Sequence, residues 1–277
     1  MTINCKGRLI DLKKPKVMGI LNVTPDSFYD GGKYRDEAAI LKQTEKMLDE
    51  GATFIDLGAY SSRPGAAHIS EEEELSRILP IVELLLKTFP DIYLSIDTFR
   101  SKVAQRCLEM GASLINDISA GNLDKNMLQT ISEHKVPYIM MHMKGTPQNM
   151  TKQANYSNII EDVIYFLSEK VALANSLGIN DIILDPGFGF AKTPAQSFFL
   201  LQHLNLFKTF RLPILVGLSR KSMIYKTLGI QPDEALNGTT ALNTFALTKG
   251  ANILRVHDVK EAVECIELMQ AVEQIED

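Results

Sequence analysis

Long apolar runs, paired cysteines and excess positive charge are all scarce in this sequence. No apolar run reaches the roughly 18 residues that a membrane-spanning helix needs, and residues 1–8 contain no continuous apolar signal region. Cys5, Cys107 and Cys265 lie far apart, and no Cys-x-x-Cys pair or histidine-rich spacing predicts a metal site. A net charge of −5 argues against a nucleic-acid-binding surface. We therefore expect a cytoplasmic protein with reduced thiols that binds neither membrane nor nucleic acid.

The repeated element of the sequence is a short apolar strand followed by a helical segment. Strands are predicted at residues 17–22, 53–58, 93–97, 113–116, 137–142, 182–185, 213–217 and 252–256, after a hairpin or strand at 3–12. The clearest helices are predicted at 36–50, 157–177 and 258–274, and a further one begins after Ser70, with Glu73 at the capping-box position.

This alternation predicts an α/β fold with parallel strands and right-handed crossovers. Eight such units in 277 residues are typical of a (β/α)₈ TIM barrel, and no linker or low-complexity tract divides the chain. An open doubly wound sheet is the alternative, but no Gly-x-Gly-x-x-Gly follows the first strand. We therefore predict one domain over residues 1–277, a (β/α)₈ barrel with a short N-terminal hairpin.

Residues 182–193 join an apolar strand directly to a loop with two glycines and two phenylalanines. Asp185 stands at the end of the strand, Pro186 breaks it, and Gly187 and Gly189 permit a sharp turn or a close approach to a ligand. A carboxylate beside aromatic rings suits a planar ligand with N–H donors. The same pattern also fits a plain loop in which the aspartate caps a helix.

Polar residues recur at the ends of the other predicted strands as well. In a barrel these ends meet at one mouth, where active sites lie. The set comprises Asn22, Asp56, Asp97, Asn116, His142, Asp185, Lys221, Arg255 and His257. A ring of this kind indicates a site more readily than packing does, although His142 by itself is better interpreted as a core histidine.

The residue types in this ring indicate its chemistry. Asp97, Asn116, Asp185 and Lys221 mix acceptors with donors and could match a heteroaromatic ring that carries amino, N–H and carbonyl groups. Arginine and histidine suit an anion, and an asparagine oxygen suits Mg²⁺ that arrives with phosphate groups. No paired nucleophile and base are evident in the sequence.

Several stretches together resemble the dihydropteroate synthase family, from about Lys16 to Met269. The matching stretches are 19–28 (GILNVTPDSF), 62–66 (SRPGA), 95–98 (SIDT), 115–118 (INDI), 141–143 (MHM), 185–190 (DPGFGF), 217–222 (GLSRKS) and 255–258 (RVHD). The family often has Gly-Glu before the Ser/Thr-Ser/Thr-Arg-Pro run, whereas Ala59 and Tyr60 stand there in this sequence.

The resemblance implies a barrel that is usually a homodimer. It also implies that the enzyme condenses 7,8-dihydropterin-6-ylmethyl diphosphate with 4-aminobenzoate, giving dihydropteroate and diphosphate with the help of Mg²⁺. The hypothesis that follows is dissociative: charge on the departing diphosphate is neutralised, a pterin methylene cation forms, and the arylamine attacks it without a strong base.

The resemblance assigns roles residue by residue. Asp97, Asp185, Lys221 and Arg255 would be catalytic. The pterin would be held by Asp97, Asn116, Ile118, Met141, Asp185, Phe188, Lys221 and Arg255. The diphosphate would meet Asn22, Arg255 and His257, with Asn22 also the Mg²⁺ contact. The aminobenzoate would be framed by Phe28, Ser62, Arg63, Pro64, Phe190, Lys221 and Ser222.

Two other functions compete with this interpretation. A pterin-binding methyltransferase domain would share the barrel and the pterin pocket, but it would not need Ser62–Pro64 or Ser219–Ser222. A non-catalytic pterin-binding paralogue would keep the fold without turnover, and the presence of Asn22, Asp97, Lys221 and Arg255 argues against it.

Overall fold

The computed structural model of the chain describes residues 1–23, 33–61 and 68–274. The predicted aminobenzoate contacts Phe28, Ser62, Arg63 and Pro64 lie outside the described residues. Within the described ranges the strands are β1 (Thr2–Cys5), β2 (Arg8–Asp11), β3 (Lys16–Asn22), β4 (Phe54–Gly58), β5 (Tyr93–Asp97), β6 (Leu114–Asp117), β7 (Tyr138–Met141), β8 (Ile182–Asp185), β9 (Leu215–Val216) and β10 (Ile253–Val256).

The helices of the described chain run between these strands. They are α1 (Lys33–Asp49), α2 (Glu71–Thr88), α3 (Ser101–Glu109), α4 (Met127–His134), α5 (Ile159–Ser176), α6 (Pro194–Gln202), α7 (Ser222–Leu228), α8 (Leu236–Lys249) and α9 (Val259–Glu273). None of them is long and apolar enough to cross a membrane. The predicted bounds agree to within a few residues, and the connection between β9 and β10 holds two helices.

The eight strands from β3 to β10 form one parallel sheet in the order β8-β7-β6-β5-β4-β3-β10-β9. The two outer strands approach each other: Leu184 of β8 pairs in parallel with Ile214, and its N–H donates to the carbonyl of Pro213 at 2.8 Å. The sheet is therefore nearly closed into a barrel. The predicted (β/α)₈ fold is confirmed, and the open doubly wound alternative is not what the chain adopts.

The predicted N-terminal hairpin is present and seals one end of the barrel. β1 and β2 pair antiparallel, and their apolar side chains Ile3, Cys5 and Ile10 pack in one cluster with side chains near the starts of the barrel strands. That cluster also contains Leu12, Met18, Phe54, Leu114, Ile139, Ile183, Leu215 and Ile253. The opposite end, where the strands finish, is left for polar groups.

Local sequence explains where the helices begin and end. The Ser70 hydroxyl accepts a hydrogen bond from the N–H of Glu73 at 3.1 Å, which caps α2 as predicted. Thr193 and Gln196 form a capping box at the start of α6, with Pro194 at its first turn. After α1 the chain turns at Gly51, whose φ of +98° favours glycine. These residues define where the helices that connect successive strands begin and end.

Candidate functional site

A polar pocket opens at the mouth where the strands end. Its lining residues are Asp97, Asn116, Ile118, Met141, Asp185, Phe190, Gly217, Lys221 and Arg255. Asp97 and Asp185 are the last residues of β5 and β8, and Asn116 and Arg255 lie in the last two residues of β6 and β10. The structure therefore brings together the pterin residues predicted from sequence, with one exception that concerns Phe188.

Asp56 of β4 lies beneath this pocket and organises it. The side chain is fully buried, and its carboxylate accepts hydrogen bonds from Ser95 Oγ at 2.5 Å, Asn116 Nδ2 at 2.9 Å and Arg255 Nε at 2.6 Å. A carboxylate only accepts, so the amide nitrogen of Asn116 must face Asp56. The Oδ1 atom of Asn116 is therefore the group left to accept from a ligand.

Arg255 joins two carboxylates at the pocket. Its Nε donates to Asp56, and its Nη2 donates to Asp97 at 2.7 Å. Burial works against the charged guanidinium, but these two carboxylates raise the pKa of Arg255 above its ordinary value. The side chain is 20% exposed. Arg255 is thus a fixed cation whose guanidinium borders the pocket.

The carboxyl groups of the pocket are poorly solvated. Burial raises the pKa of Asp97 to about 7; Arg255 opposes this, while the negative charge of Asp56 adds to it. Burial also raises the pKa of Asp185, against the opposing effects of Lys221 and of the Gly187 N–H, which donates to Asp185 Oδ1 at 2.7 Å. Both groups would gain from a ligand that presents N–H donors or positive charge.

Lys221 is the second cation of the pocket. Its ammonium donates to the backbone carbonyl of Phe188 and lies 4.5 Å from the ring centroid of Phe190, a cation–π distance. Burial lowers the pKa of Lys221 to about 8, although Asp185 and Asp97 favour its charged form. Lys221 can therefore present a positive charge to a ligand at neutral pH, and it loses that charge as the pH rises above about 8.

The loop after β8 differs from its prediction in the position of the Phe188 side chain. Phe188 is fully buried in the main core. Its side chain was predicted to line the pterin pocket but does not, and its backbone carbonyl accepts a hydrogen bond from Lys221. Phe190 lines the pocket and clusters with Ile118 and Met141. The backbone explains the position of the Phe188 side chain, because φ is +73° at Gly187 and +81° at Gly189, and these turns direct the side chain into the core.

The predicted diphosphate residues lie at the mouth beside this pocket. The hydroxyl oxygen of Ser219 lies 2.9 Å from His257 Nδ1. The same oxygen accepts a hydrogen bond from the backbone N–H of His257 at 3.2 Å. Arg220 is already paired with a carboxylate: its Nε and Nη2 atoms donate to the two oxygens of Asp258 at 3.1 and 2.6 Å. That pairing raises the pKa of Arg220.

Asn22 ends β3 next to Gly58. A side chain at Gly58 would come within 3.5 Å of Asn22 Oδ1 and 3.7 Å of Asp97 Oδ2, so the glycine leaves room between these two oxygens. Among the residues that the structure describes, no three His, Cys, Asp or Glu side chains are arranged to hold a metal ion. A single amide oxygen of this kind fits Mg²⁺ that arrives with a diphosphate and keeps water ligands.

Comparison with known proteins places this pocket in a family. Residues 18–257 match the family model described as pterin binding enzyme. The dihydropteroate synthase of Escherichia coli (strain K12) is 41% identical over 273 residues, which cover 98% of this chain and 96% of that protein. The chain belongs to the dihydropteroate synthase family. Members of this family are transferases.

Two solved structures agree with this family assignment. The dihydropteroate synthase of Yersinia pestis with a sulfonamide drug complex has a TM-score of 0.93 and 42% identity, covering 99% of this chain and 100% of that one. The dihydropteroate synthase of Xanthomonas albilineans in complex with 7,8-dihydropteroate has a TM-score of 0.89 and 34% identity, covering 100% of both chains.

Tyr60 stands where the resemblance implies a glutamate, and the structure shows what it contacts. The residue is 6% exposed. Its hydroxyl accepts from Gln148 Nε2 at 2.5 Å and lies 3.2 Å from His68 Nδ1, and its ring packs edge-on against Phe99 at 5.1 Å. Tyr60 therefore links the loop after β4 to the loop after β7, a contact that a glutamate would not make in this form.

Two charged side chains near the pocket have no role assigned from sequence. Asp56 was visible at the end of a strand, but nothing in the sequence indicated its three partners. Lys192 follows the glycine–phenylalanine loop and is buried among the backbone carbonyls of that loop. A lysine between Ala191 and Thr193 carries no local signal of burial, so only the fold reveals it.

Proposed function

We propose that this chain condenses 7,8-dihydropterin-6-ylmethyl diphosphate with 4-aminobenzoate, forming 7,8-dihydropteroate and diphosphate. The observation that carries the proposal is the set of polar groups at the barrel mouth. Asp97, Asp185 and the Asn116 oxygen are acceptors, and Lys221 is a donor. A pterin edge carries amino and ring N–H donors with a carbonyl oxygen, so the two sets match in number and kind.

The apolar parts of the pocket support the same ligand. Ile118 and Met141 are nearly buried and cluster with Phe190, which gives a planar ring flat surfaces to lie between. The guanidinium of Arg255 borders the same space and can stack on an aromatic face. Hydrogen bonds that involve charged groups contribute roughly 1.5–3 kcal/mol each, so three or four of them select one ring system over its analogues.

The diphosphate is assigned to the mouth, where Asn22, Arg255 and His257 provide an amide and two nitrogen-bearing side chains. Asn22 would hold Mg²⁺ through its side-chain oxygen, which lies beside Gly58 and near Asp97. Bound there, the ion would supply positive charge to the oxygens of the leaving group. Arg255 is oriented for the same purpose by Asp56 and Asp97.

The aminobenzoate is assigned to the rim next to Phe190. Lys221 and Ser222 stand where α7 begins, and Phe190 lies against the Lys221 ammonium. Ser222 and the backbone N–H groups beside it would take the carboxylate. Phe28, Ser62, Arg63 and Pro64 complete this proposed subsite, and all four lie outside the residues that the structure describes.

The charges of the pocket favour a dissociative reaction. Asp56, Asp97 and Asp185 provide three carboxylates, against the two cations Arg255 and Lys221. Lys192 adds a third positive charge behind Asp185, so what stabilises positive charge developing on the exocyclic methylene is the position of Asp97 and Asp185 at the pocket surface, and not an excess of negative charge. The C–O bond breaks with its electron pair leaving on the diphosphate, Asp97 and Asp185 stabilise the resulting cation, and the arylamine nitrogen then forms the C–N bond and releases a proton to solvent.

We further propose that residues 1–277 form one domain, that the protein is cytoplasmic, and that it assembles as a homodimer. Cys5, Cys107 and Cys265 are all buried and unpaired, which suits a reducing compartment. Phe245, Leu268 and Val272 leave apolar side chains exposed on α8 and α9, a surface that a second copy could cover. Sedimentation at micromolar concentration tests the dimer.

Diphosphate release tests the reaction directly. The purified protein is given Mg²⁺ and dihydropterin-methyl diphosphate, with and without 4-aminobenzoate, while diphosphate and dihydropteroate are both measured. We expect equal amounts of the two products when both substrates are present, and inhibition by a sulfonamide that competes with 4-aminobenzoate. Pterin binding with neither product would instead support the methyltransferase or the non-catalytic alternative.

The pH dependence of kcat/KM is expected to be a narrow bell. Asp97 must be ionised to accept from the pterin, and its pKa is about 7, so activity falls as the pH drops below that value. Lys221 must be protonated to bring its positive charge to the substrates, and its pKa is about 8, so activity falls as the pH rises above it. Initial rates between pH 5.5 and 9.5 at low pterin concentration report these groups in the free enzyme. A flat profile across pH 6–9 would contradict the assignment.

A further inference from the structure

Lys192 is a buried cation outside the pocket. It is 7% exposed, and its Nζ atom lies 2.8 Å from the carbonyl oxygen of Gly187, 3.1 Å from that of Phe190 and 3.3 Å from that of His142. A fourth contact, at 2.9 Å, is with the Nδ1 atom of the His142 ring. A lysine is rarely buried unless it is paired, so this arrangement requires an explanation.

The contacts define the protonation of the pair. Burial, and secondarily the charge of Lys192, lowers the pKa of His142 to about 2, so the ring is neutral. Its Nδ1 then accepts, and the ring proton is on Nε2. Burial lowers the pKa of Lys192 well below its ordinary value and the charges of Lys221 and Lys144 add to this, while the nearby carboxylate of Asp185 favours the charged form. Four acceptors around Nζ match an ammonium, which has three N–H groups and no lone pair to repel them.

The carbonyls that Lys192 binds belong to the loop that shapes the pocket. The N–H of Gly187 donates to Asp185, and the loop between Gly187 and Phe190 presents the Phe188 carbonyl to Lys221. Phe190 itself lies against the Lys221 ammonium. Gly187 is required at this point, since a side chain on it would overlap the carbonyl oxygen of His142, which is another Lys192 acceptor.

We propose that Lys192 is a positioning residue that sets the pterin-binding geometry of Asp185 and Lys221 by fastening residues 187–190 to the end of β7 at His142. The inference rests on the proposed function, in which Asp185 and Lys221 bind the pterin. Lys192 does not touch the pocket. Its ammonium acts through the Gly187 and Phe190 carbonyls, and its charge acts on Asp185 through space.

A second contact of the same loop provides a matched control. The hydroxyl of Tyr156 donates to the carbonyl of Ala191 at 3.0 Å, so Tyr156→Phe removes one hydrogen bond from the loop without removing a charge. If Lys192 only supports the loop, the two substitutions should affect pterin binding alike, in proportion to their effect on stability. A positioning role predicts a pterin-specific loss in the lysine variant alone.

The test compares Lys192→Met with Tyr156→Phe and the unaltered chain. Binding of 6-hydroxymethylpterin is measured by fluorescence titration, and KM for dihydropterin-methyl diphosphate is measured with Mg²⁺ and 4-aminobenzoate. We expect pterin binding to weaken roughly 10- to 100-fold in Lys192→Met, because displaced binding groups lose affinity steeply. In Tyr156→Phe we expect a change of about twofold or less, since one neutral hydrogen bond to the loop is lost.

The pH dependence of pterin binding gives a readout that loop support alone would not move. Asp185 faces Lys221, Arg255, Lys192 and the Gly187 N–H, and each of them lowers its pKa. Removing the Lys192 charge raises that pKa, so the loss of binding on the acid side moves to higher pH in Lys192→Met. The profile of Tyr156→Phe should remain that of the unaltered chain.

The outcomes separate this inference from the proposed function. If the unaltered chain binds no pterin and forms no dihydropteroate, the proposed function fails. If it does both, and a folded Lys192→Met binds 6-hydroxymethylpterin within twofold of it with an unmoved profile, only the positioning role is overturned. Should Lys192→Met not fold, Lys192→Gln, which retains amide donors without the charge, carries the same expectations and the same refutation.

Discussion

Lys221→Met is expected to reduce kcat/KM by about 100- to 10,000-fold while leaving the protein folded. The ammonium would contribute at least two charged interactions with the bound pterin and aminobenzoate, each on the order of 1.5–3 kcal/mol, and about 1.4 kcal/mol corresponds to a tenfold change in rate. In the free protein, burial disfavours this charged ammonium and lowers its pKa to about 8. Removing it should therefore change the thermal midpoint little.

The matched control is Lys226→Met, the same substitution on the same short helix. Lys226 is exposed and lies in the last turn of α7, so its loss should leave both the rate and the stability close to those of the unaltered chain. Both variants are assayed for dihydropteroate formation and for thermal unfolding. A Lys221→Met variant that retains more than a tenth of the original kcat/KM would show that this residue does not hold the substrates.

The strand ends could be predicted from sequence because each of them is a local pattern. An apolar run that finishes in Asp97 or Asp185 is visible in five or six residues, and parallel topology then places such ends at one mouth. The Asp185 loop could be located in the same way. The orientation of the Phe188 side chain could not, because φ above zero at Gly187 and Gly189 sets the direction in which that side chain leaves the loop.

The polar network beneath the pocket depends on contacts that no local pattern records. Asp56 and Arg255 are 199 residues apart in the chain, and Lys192 reaches His142 across 50 residues. In each case the residue type alone permits several roles, and a surface position is the commonest one for a charged side chain. Only the nearly closed barrel shows that these side chains are paired away from the surface, and which parts of the pocket each pair positions.

Asp56→Asn is expected to cost both stability and pterin affinity, in contrast to Lys221→Met. The substitution leaves Arg255, which is partly buried, with Asp97 as its remaining carboxylate partner, and breaking a buried ion pair from one side costs about 3–5 kcal/mol. Since Asp97 remains, we expect a value near 3 kcal/mol, which for a chain of this size lowers the thermal midpoint by roughly 6–12 °C. Thermal unfolding followed by circular dichroism measures this.

The effect of Asp56→Asn on binding follows from its second partner. The carboxylate holds the Asn116 amide with nitrogen inward and oxygen toward the ligand, and an asparagine, which both donates and accepts, no longer enforces that orientation.

Glu74→Gln is the control, because Glu74 is a fully buried carboxylate paired with Arg100 at 2.6 Å and does not line the pocket. Both variants should lose stability, but only Asp56→Asn should bind 6-hydroxymethylpterin at least about tenfold more weakly, as expected when a buried polar group loses its orientation. Equal losses of pterin affinity in the two variants would mean that Asp56 acts only through stability.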